Sequence, residues 1–165
     1  MPSGSIEAVK DSLQKWLRSS RFADALAAVD AQAIAEGRED GTRATPVPAA
    51  DAIFTCEKRL LPSYPAIELI GATVGYADDT AAKIRAIEVH VVITQVGDDE
   101  ALVTKDVERL IEAAMTLLRN SVLDTRDGVK TIQIGREDYT ELVPGGQRGT
   151  FMKGGALQLA VATIT

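Results

Sequence analysis

The stretch Lys83–Asn120 constrains this chain most, because it carries two periodicities joined at one glycine. From Ile87 the odd positions read Ile87, Val89, Val91 and Ile93, an apolar face of period two built largely from β-branched residues. The even positions, Glu88, His90, Val92 and Thr94, make a mixed second face suited to partial cover. Gly97-Asp98-Asp99 breaks the strand, and Asp98 or Asp99 can cap a helix with Glu100 in its first turn. Val103, Val107, Leu110, Ile111, Ala114, Leu117 and Leu118 then follow the three-and-four spacing of one buried stripe. Glu108, Glu112 and Arg119 fall on the other side, with Arg119 near the carboxyl end, where the helix dipole favours a cation. A long strand feeding a long amphipathic helix is the nucleus of a small α/β or α+β domain.

Size and charge narrow the functional classes. The 165 residues suffice for one domain, 1–165, with a core that needs no staples. A net charge of −6 and a pI near 4.8 argue against a surface that grips nucleic acid or anionic membrane. Cys56 is the only cysteine, which excludes an intrachain disulfide and fits a reducing cytoplasm. No apolar run approaches the roughly 18 residues of a membrane helix, and Met1-Pro2-Ser3-Gly4 does not begin like a signal peptide. The expectation is a soluble cytoplasmic protein.

Upstream, Ile6, Val9, Leu13, Trp16 and Leu17 form a helical stripe that Ser5 can cap. Ser19-Ser20 interrupts it, and Phe22, Ala25, Leu26, Val29 and Ala33 mark a second helix of close-packing alanine-rich character. Residues 36–50, with Gly37, Gly41, Pro46 and Pro48, read as an exposed, flexible internal loop. Ile53-Phe54 starts a short strand or turn. Pro65 launches a strand, Ala66–Ile70, expected to end at Gly71. Thr73–Ala82 then reads as a polar loop returning the chain to the long strand as an antiparallel hairpin.

Downstream, the pattern predicts a turn over 124–128, a strand Val129–Ile134, a second turn Gly135–Asp138, and an extended piece Tyr139–Val143. The segment Pro144–Gly149 reads as a flexible loop, and the last strand as Ala156–Ile164. Leu157, Leu159 and Val161 give that strand an apolar face, while Ala156, Ala160 and Ala162 leave its other face shallow.

A search for chemistry returns little. His90 is the sole histidine, which excludes histidine-cluster metal sites within one chain and favours a half-buried structural role. Lys58 and Arg59 follow Cys56, yet a buried free thiol is the simpler reading. Asp98-Asp99-Glu100 is explained by helix capping and the dipole. Pro144–Gly149 lacks the lysine–serine ending of a phosphate loop, and Gly71 and Gly75 are followed by no helix start. Nucleophile elbows, zinc spacings and kinase signatures are absent. No catalytic residue, no cofactor and no metal is expected.

The order of features resembles the tail terminator, tail-completion or neck proteins of long-tailed bacteriophages. The residues carrying the resemblance are Arg21-Phe22 at the helix-pair junction and the segment Leu61-Pro62-Ser63-Tyr64-Pro65-Ala66-Ile67-Glu68-Leu69. They continue with Ile87–Ile93, the acid-capped helix 98–120, Asp138-Tyr139 and the closing Phe151–Leu159 strand. Such proteins have a mixed sheet with helices against it and assemble as rings, commonly of six. With that resemblance the expected fold class is α+β, a mixed, largely antiparallel sheet with an N-terminal helix pair and one long helix packed on it. The resemblance implies a structural virion protein, put together in the host cytoplasm, that caps the tail tube and joins it to the head-side connector or stopper protein. It implies DNA passing through the lumen without specific binding, and an acidic chain suits a lumen that repels phosphate.

A closed head-to-tail ring needs two different patches per subunit. The candidates are the small-residue face Ala156, Ala160 and Ala162, and the loops bearing Asp78, Asp79 and Arg148, whose opposite charges can set register between neighbours. The alternatives are a head-side connector or stopper, a small regulatory binding module, and an enzyme completed between subunits with Glu88 and His90, two residues apart on one strand face, as acid–base groups.

Overall fold

The computed structural model describes residues 5–39, 41, 43–79, 82–120 and 129–164. Helices α1 (Ile6–Leu17) and α2 (Ser20–Ala35) lead through a short 3-10 turn at Ala50–Ala52 into strand β1 (Ile53–Phe54). Then come β2 (Ala66–Asp79), β3 (Ala82–Gly97), α3 (Glu100–Asn120), β4 (Val129–Tyr139), β5 (Val143–Pro144) and β6 (Phe151–Ile164). The sheet order is β1-β2-β3-β6-β4, with β5 also paired to β6. Among the described residues only the β1–β2 pairing is parallel. The architecture is therefore α+β with a mixed, mostly antiparallel sheet.

Local chemistry accounts for the helices. Ser5 caps α1, its Oγ accepting from the Ala8 N–H at 3.1 Å, and Asp99 caps α3 by accepting from the Leu102 N–H at 3.1 Å. Gly37, at φ +72°, closes α2 in a Schellman turn, with the Arg38 N–H donating to Ala33 and the Gly37 N–H to Ile34. Along one side of α1, Lys10, Gln14 and Arg18 donate to the carbonyls of Thr55, Ile53 and Ile53 at 2.7–2.9 Å. That ladder of donors, spaced four residues apart, holds β1 in place.

All the helices contribute to one core on one side of the sheet. Ile87, Val89, Val91 and Ile93 of β3 meet Leu157, Leu159 and Val161 of β6, under the stripe Val107–Leu118 of α3 and under Phe22 and Leu26 of α2. Both stripes read from the sequence are buried as expected. Two glycines permit the close approach. A Cβ on Gly155 would lie 2.9 Å from Val107 Cγ1, and one on Gly71 would lie 2.3 Å from Ile6 Cδ1. Gly71 is thus where α1 sits on β2, not where β2 ends.

That contact explains the main correction. Thr73–Ala82 is not a polar loop: β2 runs on from Gly71 to Asp79, paired with β3 to Asp79↔Ala82 after a register shift between Gly71 and Thr73. The glycine is absorbed as an irregularity in the ladder, and β3 satisfies the backbone beyond it. The same holds for Gly135–Asp138, expected as a turn but part of a continuous β4 with its own shift between Ile134 and Arg136. The last strand also starts earlier than Ala156, at Phe151, because Gly154 and Gly155 pair with Thr94 and Ile93. The turn expected at 124–128 lies outside the described residues. Cys56, expected as a buried thiol, is exposed, because it sits in the loop just past the two-residue β1.

The segment 36–50 departs from the expectation of full exposure, since Thr45 and Pro48 are buried. Asp30 accepts from the Thr45 N–H at 2.8 Å and from its hydroxyl at 2.6 Å. Arg43 pairs with Asp106, which also accepts from Gln95 Nε2 at 2.9 Å. Arg109 reaches Asp30 at 3.3 Å and Glu39 at 2.8 Å. Each buried charge has an opposite one beside it, as burial demands. Among the described residues, no helix is long and apolar enough to cross a membrane.

Candidate assembly surface

With the helices gathered on one side, the even residues of β3 and β6 and their neighbours form a bare sheet face. Strand register sets it out in rows. One row is Glu68–Val92–Ala156–Asp138, the next Ile70–His90–Gln158–Arg136, and the next Thr73–Glu88–Ala160–Gln133. Beyond them Gly75, Ala86 and Ala162 make a floor with almost no side-chain height. Ala156, Ala160 and Ala162 therefore share one surface, half-exposed to exposed, in the middle of the sheet.

The charged candidates lie at opposite ends of the sheet. Asp78 pairs with Lys83 at the β2–β3 end of the sheet, and Arg148 lies in the exposed turn before β6, beside the Gly97 end. The 16 residues of β3 separate those ends by roughly 50 Å at about 3.3 Å per residue. Asp78 and Asp79 cannot meet Arg148 within one chain. A contact between them needs two copies.

Chemically the bare face is polar and mixed in charge, with Glu57, Lys58 and Arg59 of the loop ahead of β2 lining a hollow with Glu68, Ile70 and Val92. Glu68, Glu88 and Asp138 stand against Arg136, which pairs with Asp138 at 2.8 Å, and His90, which lies 2.8 Å from Glu88 Oε1. The Glu88 and His90 side chains are each one-third exposed, and no third polar side chain is bonded to either among the described residues. Among the described residues no group of histidine, cysteine or carboxylate side chains is placed to hold a metal ion.

A second concavity lies on the helix side, a cleft of about 480 Å³ between α3 and β4 lined by Lys105, Glu108, Arg109, Glu112, Glu137 and Tyr139, among others. Burial first, then the hydrogen bond it donates to Glu137 and the nearby carboxylates, pushes the Tyr139 hydroxyl well above the usual tyrosine range. The phenol stays a donor there and is no base.

Sequence reasoning missed three exposed apolar groups: Leu60 at 88 %, Tyr76 at 75 % and Tyr64 at 42 % exposure. Leu60 and Tyr64 project from the loop ahead of β2, whose sequence signal is a leucine pair between Arg59 and Pro62. It also missed the edges. Beyond Glu68, no strand among the described residues pairs with the outer side of β2, and none pairs with the outer side of β4.

Fold and surface together define a sheet-and-helix domain with one uncovered face, two free edges and no assembled catalytic group among the described residues. No protein-family model matches the chain, and no curated protein matches it. Among solved structures it is similar to a chain of one described as "Virion of native gene transfer agent (GTA) particle", with a TM-score of 0.50 at 12 % identity. The match covers 70 % of this chain and 81 % of that one. At this identity the likeness is one of fold.

Proposed function

We propose that this chain, as one domain over residues 1–165, is a structural virion protein of the tailed-phage kind. In this reading it assembles head-to-tail into a ring, six copies by the resemblance, that closes the tail tube and meets the head-side connector or stopper. The observation carrying the reading is the fold it shares with a chain of a gene transfer agent virion. The charge of the chain supports it: a net −6 suits a lumen through which DNA slides without being held. Asp78 and Asp79 lie at one end of β3 and Arg148 beside the other, which suits two charged rims that meet the rings stacked above and below.

Sedimentation at high protein concentration, with and without purified tail tubes, tests the ring, and negative-stain microscopy tests its closure. A strict monomer or a two-fold dimer under both conditions overturns the reading. Binding to DNA-filled heads but not to tail tubes moves the assignment to the head-side connector or stopper. The Glu88–His90 contact gives the enzyme alternative its one specific support. Loss of a defined turnover in His90→Gln, with fold and oligomer intact, would establish that alternative.

A further inference from the structure

We propose that the ring is closed strand to strand, the outer edge of β4 in one copy pairing antiparallel with the outer edge of β2 in the next. The inference rests on the ring reading above and specifies its interface.

Direction comes first. The path β2-β3-β6-β4 is antiparallel at every step, so β2 and β4 run opposite ways. A copy rotated about an axis along the strands therefore brings its β2 beside β4 in antiparallel sense, and the sheet continues without a break.

Shape agrees. The Gly71/Thr73 shift of β2 and the Ile134/Arg136 shift of β4 fall on either side of the row Gly71–Val89–Leu159–Ile134, and β4 carries a further shift between Val129 and Thr131. Each edge thus bends next to that row, and a second copy of the chain brings a bend at a similar height, which an unrelated flat strand does not.

The side chains agree as well. Val74 on β2 and Ile132 on β4 end one row, on the helix side, and Ile134 lies one row along. All three are apolar and only partly buried, packed against the core with one flank open. Edge-to-edge addition of a second copy covers that flank on both edges at once. Pairing of one edge with itself covers one and leaves the other bare. Free edges of this length attract strand addition unless they are blocked, and β1 blocks only Ile67 and Glu68.

Cross-linking between designed thiols reads the pairing. In a Cys56→Ser background, Thr73→Cys and Gln133→Cys place thiols at the two exposed ends of one row. Thr73→Cys with Arg136→Cys samples the neighbouring row. With a short bis-maleimide, dimers are expected when the two single variants are mixed and not with either alone, and the double variant should give a ladder ending at the ring. Links within a single variant overturn the head-to-tail pairing. A ring seen by sedimentation that gives no link in either row overturns the edge interface while leaving the ring. A strict monomer removes both.

Discussion

Arg109 Nη2 donates to Glu39 Oε2 at 2.8 Å, joining the middle of α3 to a segment seventy residues upstream. Arg109 is 4 % exposed, and its other nitrogen reaches Asp30. Arg109→Ala leaves two carboxylates without that partner and is expected to cost about 3–5 kcal/mol. Arg109→Met keeps the volume but not the charge, so it should recover little unless Asp30 and Glu39 are neutralised with it. Urea denaturation of the three proteins checks this, and a loss in Arg109→Ala below ~1 kcal/mol would show the network to be dispensable.

The same contact sets a pH dependence. The Arg109 hydrogen bond holds the Glu39 carboxyl below the usual glutamate range, burial opposes it, and the charges of Lys105 and Arg109 add to the lowering. A depressed folded-state value means that the contribution is present above the unfolded value, near ~4.3, and is lost as pH falls through the folded one. Stability should therefore fall on acidification below about pH 4, and Glu39→Gln should flatten part of that slope. An unchanged slope in Glu39→Gln would remove Glu39 from the acid response.

Packing of α3 on β6 gives a third expectation. Gly155→Ala drives a methyl into Val107 and Ile111 and should cost roughly 1–3 kcal/mol. Val107→Ala in the same chain should recover part of that, which thermal unfolding of the double variant measures. Leu110→Ala, at a fully buried site, should cost roughly 2–5 kcal/mol, and a loss under about half a kcal/mol would contradict its burial.

Assembly gives the fourth. Arg148→Glu is expected to weaken docking of the ring on a tail tube with the monomer still folded, because a ring closed edge to edge holds Arg148 on one rim and the turn carries no core residue. His90→Gln should leave assembly unchanged. Co-sedimentation of both variants with purified tail tubes separates the two expectations, and docking as tight in Arg148→Glu as in the parent would take Arg148 out of that rim.

Periodicity made the core legible. The alternation Ile87–Ile93 and the stripe Val103–Leu118 are long enough to outweigh local ambiguity, and Ser5 and Asp99 act as the caps their positions suggest. Gly71 and Gly135 were misleading for a physical reason. A glycine inside a paired strand reads like a terminator, and only the partner strand and α1 reveal that it is spanned. Asp30, Asp106 and Arg109 were illegible because their partners lie 11 to 79 residues away. Of the candidate surface, the alanine face follows from alternation alone. The free edges depend on strand order, which no local pattern records.

The pairing of β3 with β6 runs unbroken through fourteen rows, from Ile84↔Ile164 to Gly97↔Phe151. Its hydrogen bonds stand perpendicular to the strands. A pull along the strands loads all of them together in shear, whereas a pull across the sheet opens them one at a time like a zip. The domain is therefore mechanically anisotropic, stiffest along the strand direction, and that is the axis along which a thread drawn past the bare face would drag on it.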